Sequence, residues 1–237
     1  MNRIILIVNA FFAFILLSCS QAPKPEDFSA YVDPYIGSDY HGHVFVGANV
    51  PFGAVQLGPN NAQETWDWCS GYHYSDSVLI GFAHTHLSGT GIGDLGDLLF
   101  MPVSDDFNYE QASNEAYPWS ALYTHDDEQV SPGYYSININ KYNVQAELTA
   151  TERVGFHRYN FNALGNSKLI IDLAYGTGWD ALTKADLQQE GDNSMSGFRY
   201  SKGWAADQKI YFHTEFSKPI KTLEILRQND KGINTVE

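Results

Sequence analysis

The sequence predicts an all-β protein, an antiparallel β-sandwich or related double sheet. Three observations lead there. Apolar and polar residues alternate with period 2 along one segment after another, which gives each segment one apolar face. Gly, Asn and Asp separate these segments at intervals of about ten residues, with no long run of 3.6-residue periodicity. Phe, Trp and Tyr make up 14% of the chain, and aromatic side chains suit a pleated, half-buried surface.

Taken in order, the elements read as follows. Asp97–Pro102 (DLLFMP) is a strand ended by its proline. Tyr134–Ile139, Tyr142–Ala150 and Arg153–Phe161 are successive antiparallel strands. In the second of them Val144, Ala146, Leu148 and Ala150 alternate with Gln145, Glu147 and Thr149. Lys168–Leu173, Met195–Ser201, Lys209–Phe216 and Ile220–Leu226 continue the series. A turn-like RQNDKG follows, and the sequence stops at Glu237 with no closing strand evident. Either the last strand is edge-like or a longer protein has been cut. No internal repeat appears.

The N-terminus has the pattern of an export signal. Arg3 supplies the positive charge, and Ile4 to Leu17 is apolar apart from Asn9. That run is short for a membrane-spanning helix, which needs roughly 20 apolar residues. It ends in Leu16-Leu17-Ser18-Cys19, a lipobox-like sequence. The expected organisation is a signal peptide over 1–18, a lipidated Cys19 heading a polar, Pro-containing tether over 19–30, and a folded domain over 31–237. An ordinary signal peptide with a chance cysteine is the alternative. An exported lipoprotein follows, periplasmic or anchored at the outer membrane or cell surface, touching the membrane through its lipid alone. Cys69 is then the one remaining thiol, so no intrachain disulfide forms, and burial is the usual fate of such a cysteine. The formal net charge of −14 argues against nucleic acid and anionic lipid surfaces as partners.

Site-type residues concentrate between Trp66 and Asp97, where two Trp, one Cys, three His and four Asp share a Gly-rich stretch. Flat apolar faces beside fixed polar groups are what a polyhydroxylated ligand needs. Trp66 and Trp68, two apart, would point into one cleft on an extended segment, with Asp67 between them to accept from hydroxyls or to cap a turn. His41 and His43 repeat that spacing, as do His84 and His86. Two such pairs would hold a metal ion if they met in space, although no HExxH frame is present. Otherwise these rings donate to carbonyls in Gly-rich turns or line a sugar site. Gly91-Ile92-Gly93-Asp94-Leu95-Gly96 is formally GxGxxG, but a strand follows it where a dinucleotide fingerprint opens a helix. Its glycines instead permit a tight loop with positive φ. Asp94 and Asp97 offer hard oxygens for calcium without an EF-hand frame, or serve turns. No nucleophile system stands out, and 28 acidic residues make any carboxylate pair accidental.

The order VDPYIG, HGHVFVGANVPFGAVQLGP, WDWCSGYHYSD, GFAHTHLSGTGIGDLGDLLFMP resembles the N-terminal region of glycoside hydrolase family 92. The resemblance runs from about Val32 to FSKPI at Phe216–Ile220. The family consists of secreted, calcium-dependent exo-α-mannosidases of bacteria. It implies a supersandwich-like β-sandwich packed on a C-terminal (α/α)6 barrel, with the pocket at their junction, mannose-containing glycans as substrates, and an inverting mechanism. Its general acid and base belong to the helical domain, which this sequence lacks, so no catalytic residue carries over. Trp66, Asp67 and Trp68 carry over as the mannose-pocket wall, followed by His86 with the Gly89–Asp94 loop, then by His41 and His43. The implied calcium finds no assignable ligand here, and the metal ligands stay unknown. Two other readings differ in class: a stand-alone glycan-binding lipoprotein without activity, and a His-based metal hydrolase.

Overall fold

The computed structural model describes residues 25–104, 107–109, 116–162, 165, 167–229 and 232–236. The leader over 1–18 and Cys19 lie outside them. Among the described residues no helix is long and apolar enough to cross a membrane. The chain divides into two units, Met1–Val32 and Asp33–Glu237. In the first, Phe28–Tyr31 form one 3₁₀ turn, capped by Asp27, which accepts from the Ser29 amide at 3.0 Å.

The second unit is all-β. Its strands are β1 (Ala48–Asn49), β2 (Gln56–Asn61), β3 (Val78–Ala83), β4 (Leu99–Val103), β5 (Ala121–Leu122), β6 (Glu128–Ser131), β7 (Tyr134–Ile139) and β8 (Val144–Ala150). The series continues with β9 (Gly155–Phe161), β10 (Lys168–Asp172), β11 (Ala181–Gln189), β12 (Ser194–Lys202), β13 (Gln208–Glu215), β14 (Ile225–Asn229) and β15 (Gly232–Val236). A four-stranded antiparallel sheet, β6-β7-β8-β9, faces an eleven-stranded sheet of order β1-β2-β3-β4-β10-β15-β11-β12-β13, with β5 paired to β3 and β14 to β15. One pairing in the large sheet, β11 with β15, is parallel. No helical barrel is present among the described residues.

The apolar alternation builds the main core between the sheets. Leu57, Phe82, Met101 and Ile170 of the large sheet meet Tyr135, Ile137, Val144, Ala146 and Leu148 of the small one. β8 buries Val144, Ala146 and Leu148 and leaves Thr149 exposed, as its alternation predicts. A second core, with Phe100, Ile171, Leu173, Leu182, Leu187 and Met195, lies on the β10–β13 half. β4 contributes Met101 to one core and Phe100 to the other. All five of its residues are therefore buried.

Four expectations are corrected. Pro102 lies within β4 and does not end it; β3 pairs with β4 only at Phe82↔Phe100, which leaves one side of Pro102 without a ladder, as a residue lacking an N–H requires. β11 escapes a period-2 search because a bulge between Leu182 and Lys184 shifts its buried positions to Leu182, Ala185 and Leu187. Residues 220–224 are not a strand; Ile220 and Leu223 pack on the second core, tied by the Ile220 amide to the Asp192 carbonyl at 2.7 Å. Finally, a closing strand does exist: β15 pairs with β14, β10 and β11.

Candidate functional site

Trp66–Trp68 form a single 3₁₀ turn whose N-cap Thr65 accepts from the Asp67 amide. At three residues per turn, side chains two apart diverge where those of a strand would align. Trp66 and Trp68 therefore do not share a cleft. Trp68 stacks on His73 (centroids 4.1 Å, 15°) and donates its Nε1–H to Asp76 at 2.6 Å, so both its face and its polar edge are used. Trp66 is 56% exposed, and its Nε1–H donates to the Gly91 carbonyl at 2.7 Å.

Asp67 lies between them and joins the first His pair. Its Oδ1 is 2.6 Å from His41 Nδ1 and 3.2 Å from His43 Nε2. The His41 hydrogen bond, then that from His43, holds the Asp67 carboxyl below the usual carboxylate range, against the opposing effect of desolvation. The two rings converge because Tyr40 and His43 take left-handed φ of 49° and 56°; an extended segment does not produce the convergence. Trp66 meets His43 edge-on at 4.1 Å and His41 at 5.6 Å. Gly89 joins the cluster through its backbone, donating to the His43 carbonyl at 2.6 Å. Gly91 is held at φ +66°, where an added Cβ would sit 3.1 Å from the Trp66 ring.

The second His pair stays apart from the first. His86 is buried, with Nδ1 2.7 Å from the Gln56 carbonyl, Nε2 3.0 Å from Asn60, and Phe45 stacked on its face. Burial pushes its pKa down to about 4. His84 donates from Nδ1 to the Leu98 carbonyl (2.7 Å), so its Nε2 accepts from His157 Nε2 (3.0 Å), which leaves His157 Nδ1 to accept from the Tyr159 hydroxyl (2.7 Å). Burial lowers His84 to about 4 and His157 well below its ordinary value. A four-histidine metal site is thereby overturned. Cys69 is buried and free, and burial raises its pKa.

Asp94 and Asp97 are both buried and engaged by the protein, so they are not a calcium pair. Asp94 accepts from the Leu95 and Trp204 amides and from Gln208 Nε2. Asp97 pairs with Arg199 at 2.6 Å, and Asp180 pairs with the same guanidinium, all three inaccessible to solvent. The guanidinium also donates to the carbonyls of Leu173 and Tyr175, and Ser201 donates to Asp180. Burial pushes Asp180 up, opposed by Arg199. This triad clamps the loop before β4 to the loop before β11.

Sequence reasoning misses two tryptophans, Trp179 in the loop before β11 and Trp204 in the loop between β12 and β13. Trp179 is 68% exposed and Trp204 62%. The Trp179 amide donates to the Gly93 carbonyl at 2.9 Å, and the Trp204 amide to Asp94 Oδ2 at 3.1 Å. Gly93 itself abuts Gly178, leaving no room for a Cβ. One four-residue segment, 91–94, thus fastens three exposed tryptophans: 66, 179 and 204. The signal available in the sequence is the repeated Gly-Trp, at 178–179 and 203–204, each in a loop between strands.

Residues 31–236 match the model of the glycosyl hydrolase family 92 N-terminal domain. A family 92 α-mannosidase from Bacteroides thetaiotaomicron, solved in complex with mannoimidazole, is 33% identical with a TM-score of 0.79; the match covers 89% of this chain and 30% of that one. An inverting family 92 mannosidase of the same organism, at 22% identity and a TM-score of 0.70 over 91% of this chain and 29% of its own, shares the fold. A protein of Arthroderma benhamiae described as an uncharacterized secreted glycosidase is 32% identical over 167 residues, 67% of this chain and 21% of that protein. The chain spans about a fifth of that relative and under a third of the solved enzymes. It belongs to glycoside hydrolase family 92, and the part of the family it matches is the N-terminal domain.

Proposed function

We propose that this chain forms the sandwich-side wall of a mannose pocket in an exported α-mannosidase that removes terminal α-linked mannose with inversion. The observation that carries the reading is the 91–94 segment, which fastens Trp66, itself packed on the His41–His43–Asp67 cluster, together with Trp179 and Trp204. Exposed indoles offer faces to the C–H side of a sugar ring, and Asp67 with its two imidazoles offers hydroxyl partners. Trp68, His86 and Asp94 take supporting places in this wall, since each is engaged by its own protein neighbours.

Inversion needs a general acid and a general base roughly 6.5–9.5 Å apart, with a water between them. The cluster offers a single carboxylate, Asp67, already engaged by two imidazoles, so the proton-moving pair is assigned to a companion helical domain of the same enzyme. Calcium, if that activity uses it, takes its ligands there too. It prefers six to eight oxygen ligands, whereas the donors converging here are two nitrogens and a carboxylate. Export fits a relative described as secreted, with Cys19 as the lipid anchor.

The test uses the purified full chain. Calorimetric titration with α-mannosides is expected to show weak binding that Trp66→Ala reduces, with no hydrolysis of an aryl α-mannoside. Measurable turnover by this chain alone overturns the division of labour. Binding unaffected by Trp66→Ala overturns the assignment of the wall.

A further inference from the structure

The arrangement of His41, His43 and Asp67 has a second consequence, independent of any sugar. Nδ1 of His41, Nε2 of His43 and a carboxylate oxygen of Asp67 lie within 4.8 Å of one another. In a tetrahedral site with metal–ligand bonds near 2.0–2.2 Å, ligand atoms stand about 3.3 Å apart. The His41–Asp67 and His43–Asp67 separations of 2.6 and 3.2 Å are already close to that, so side-chain rotation alone can seat an ion between the three.

The donors come from two segments held in place before any ion arrives. His43 is 6% exposed at its side chain, sits in the left-handed region, and is fixed through its carbonyl by Gly89 and through its ring by Trp66. Asp67 is fixed by the capped 3₁₀ turn. His41, in contrast, is 75% exposed. A site with two ordered ligands and one at the surface has an entry path and open coordination positions. A left-handed φ at a non-glycine residue costs roughly 1–3 kcal/mol and marks a position that the surrounding structure holds deliberately.

We propose that His41, His43 and Asp67 form a binding site for a borderline divalent cation, zinc above all, with open positions left to water or a ligand hydroxyl. Two imidazoles and one carboxylate select zinc-like ions over calcium and magnesium, which prefer oxygen donors. The net charge of −14 raises the local concentration of any cation. The other histidines do not compete as a built site. His73, His84, His86, His125 and His157 are consumed by internal hydrogen bonds. His213 stands half-exposed, 3.6 Å from Glu190 and from Glu215.

The experiment is calorimetric titration of the full chain, freed of metal with a chelator, with zinc chloride and separately with calcium chloride. Visible absorption after cobalt addition serves as a spectroscopic readout of the ligand set. The expected result is one zinc per chain and no comparable binding of calcium. Asp67→Asn and His41→Ala should each weaken zinc by more than about tenfold, since even partners of metal ligands are worth 10–100-fold. His213→Ala should leave it unchanged. The two variants alter a partly exposed carboxylate and an exposed ring, and circular dichroism is the check that they fold. No stoichiometric zinc, zinc binding indifferent to both variants, or binding lost with His213→Ala each overturns the proposal. Mannoside titration with and without chelator keeps the two readings apart: failure under both conditions counts against the sugar wall and not against the metal site.

Discussion

Lowering the pH from 7 to 5 is expected to remove about 4 kcal/mol of stability through His84 and His86. Both rings are held neutral by burial, with folded pKa values of about 4 against the ordinary 6.5. His84 also has a geometric reason to stay neutral: its Nε2 accepts from His157 while its Nδ1 donates to the Leu98 carbonyl, and a proton on that Nε2 would set two N–H groups against each other. Because the folded pKa is depressed, the stabilisation is complete above pH 6.5, shrinks as pH falls from 6.5 to 4, and is exhausted below 4. At pH 5 an unfolded imidazole is almost fully protonated and the folded one almost fully neutral. The resulting penalty is about 2 kcal/mol per ring, from 1.36 kcal/mol for each unit of pKa difference spanned. His157 acts in the same direction. Urea unfolding followed by tryptophan fluorescence at pH 7, 6 and 5 measures the loss. A double variant, His84→Gln with His157→Gln, should remove the share of those two rings and leave the loss of about 2 kcal/mol from His86. Stability at pH 5 within about 1 kcal/mol of that at pH 7 would refute the assignment of these rings as neutral.

Replacing Arg199 by Met leaves Asp97 and Asp180 as unpaired buried carboxylates, so a loss of about 3–5 kcal/mol is expected. A denaturation midpoint close to the parent's would contradict the clamp. Trp66→Ala and Trp68→Ala should separate by phenotype. The first removes a 56% exposed ring and should leave the melting temperature nearly unchanged. The second strips the stacking partner from His73 and the donor from Asp76, and should cost about 3 kcal/mol or more as a large-to-small change. Equal melting temperatures for the two would refute their opposite placement.

Much of this molecule was legible along the chain because the signals were local. Alternating apolar residues located β7 to its exact bounds, along with most of β8, β9, β10, β12 and β13. The strand after Gly96 excluded a nucleotide loop, and a lone thiol at Cys69 implied burial. Those readings need only that a half-buried strand shows period 2 and that glycine tolerates positive φ. The strands that eluded it break local rules for non-local reasons. β11 carries a bulge, and β15 is defined by the neighbours it pairs with rather than by its own pattern.

The site divides along the same line. Sequence by itself picked out Trp66, Asp67, His41 and His43 as candidates for a site, because their chemistry is intrinsic and they cluster along the chain. Only the tertiary structure decided which of them meet. A 3₁₀ turn separates Trp68 from Trp66, and two left-handed residues turn His41 and His43 onto one carboxylate oxygen. Internal hydrogen bonds consume His84 and His86, and burial takes up Asp94 and Asp97, while the 91–94 segment recruits Trp179 and Trp204 from more than 80 residues downstream. Spacing along a chain reports direction only when the local backbone conformation is known. Contact between distant loops depends on how the sheets bring them together.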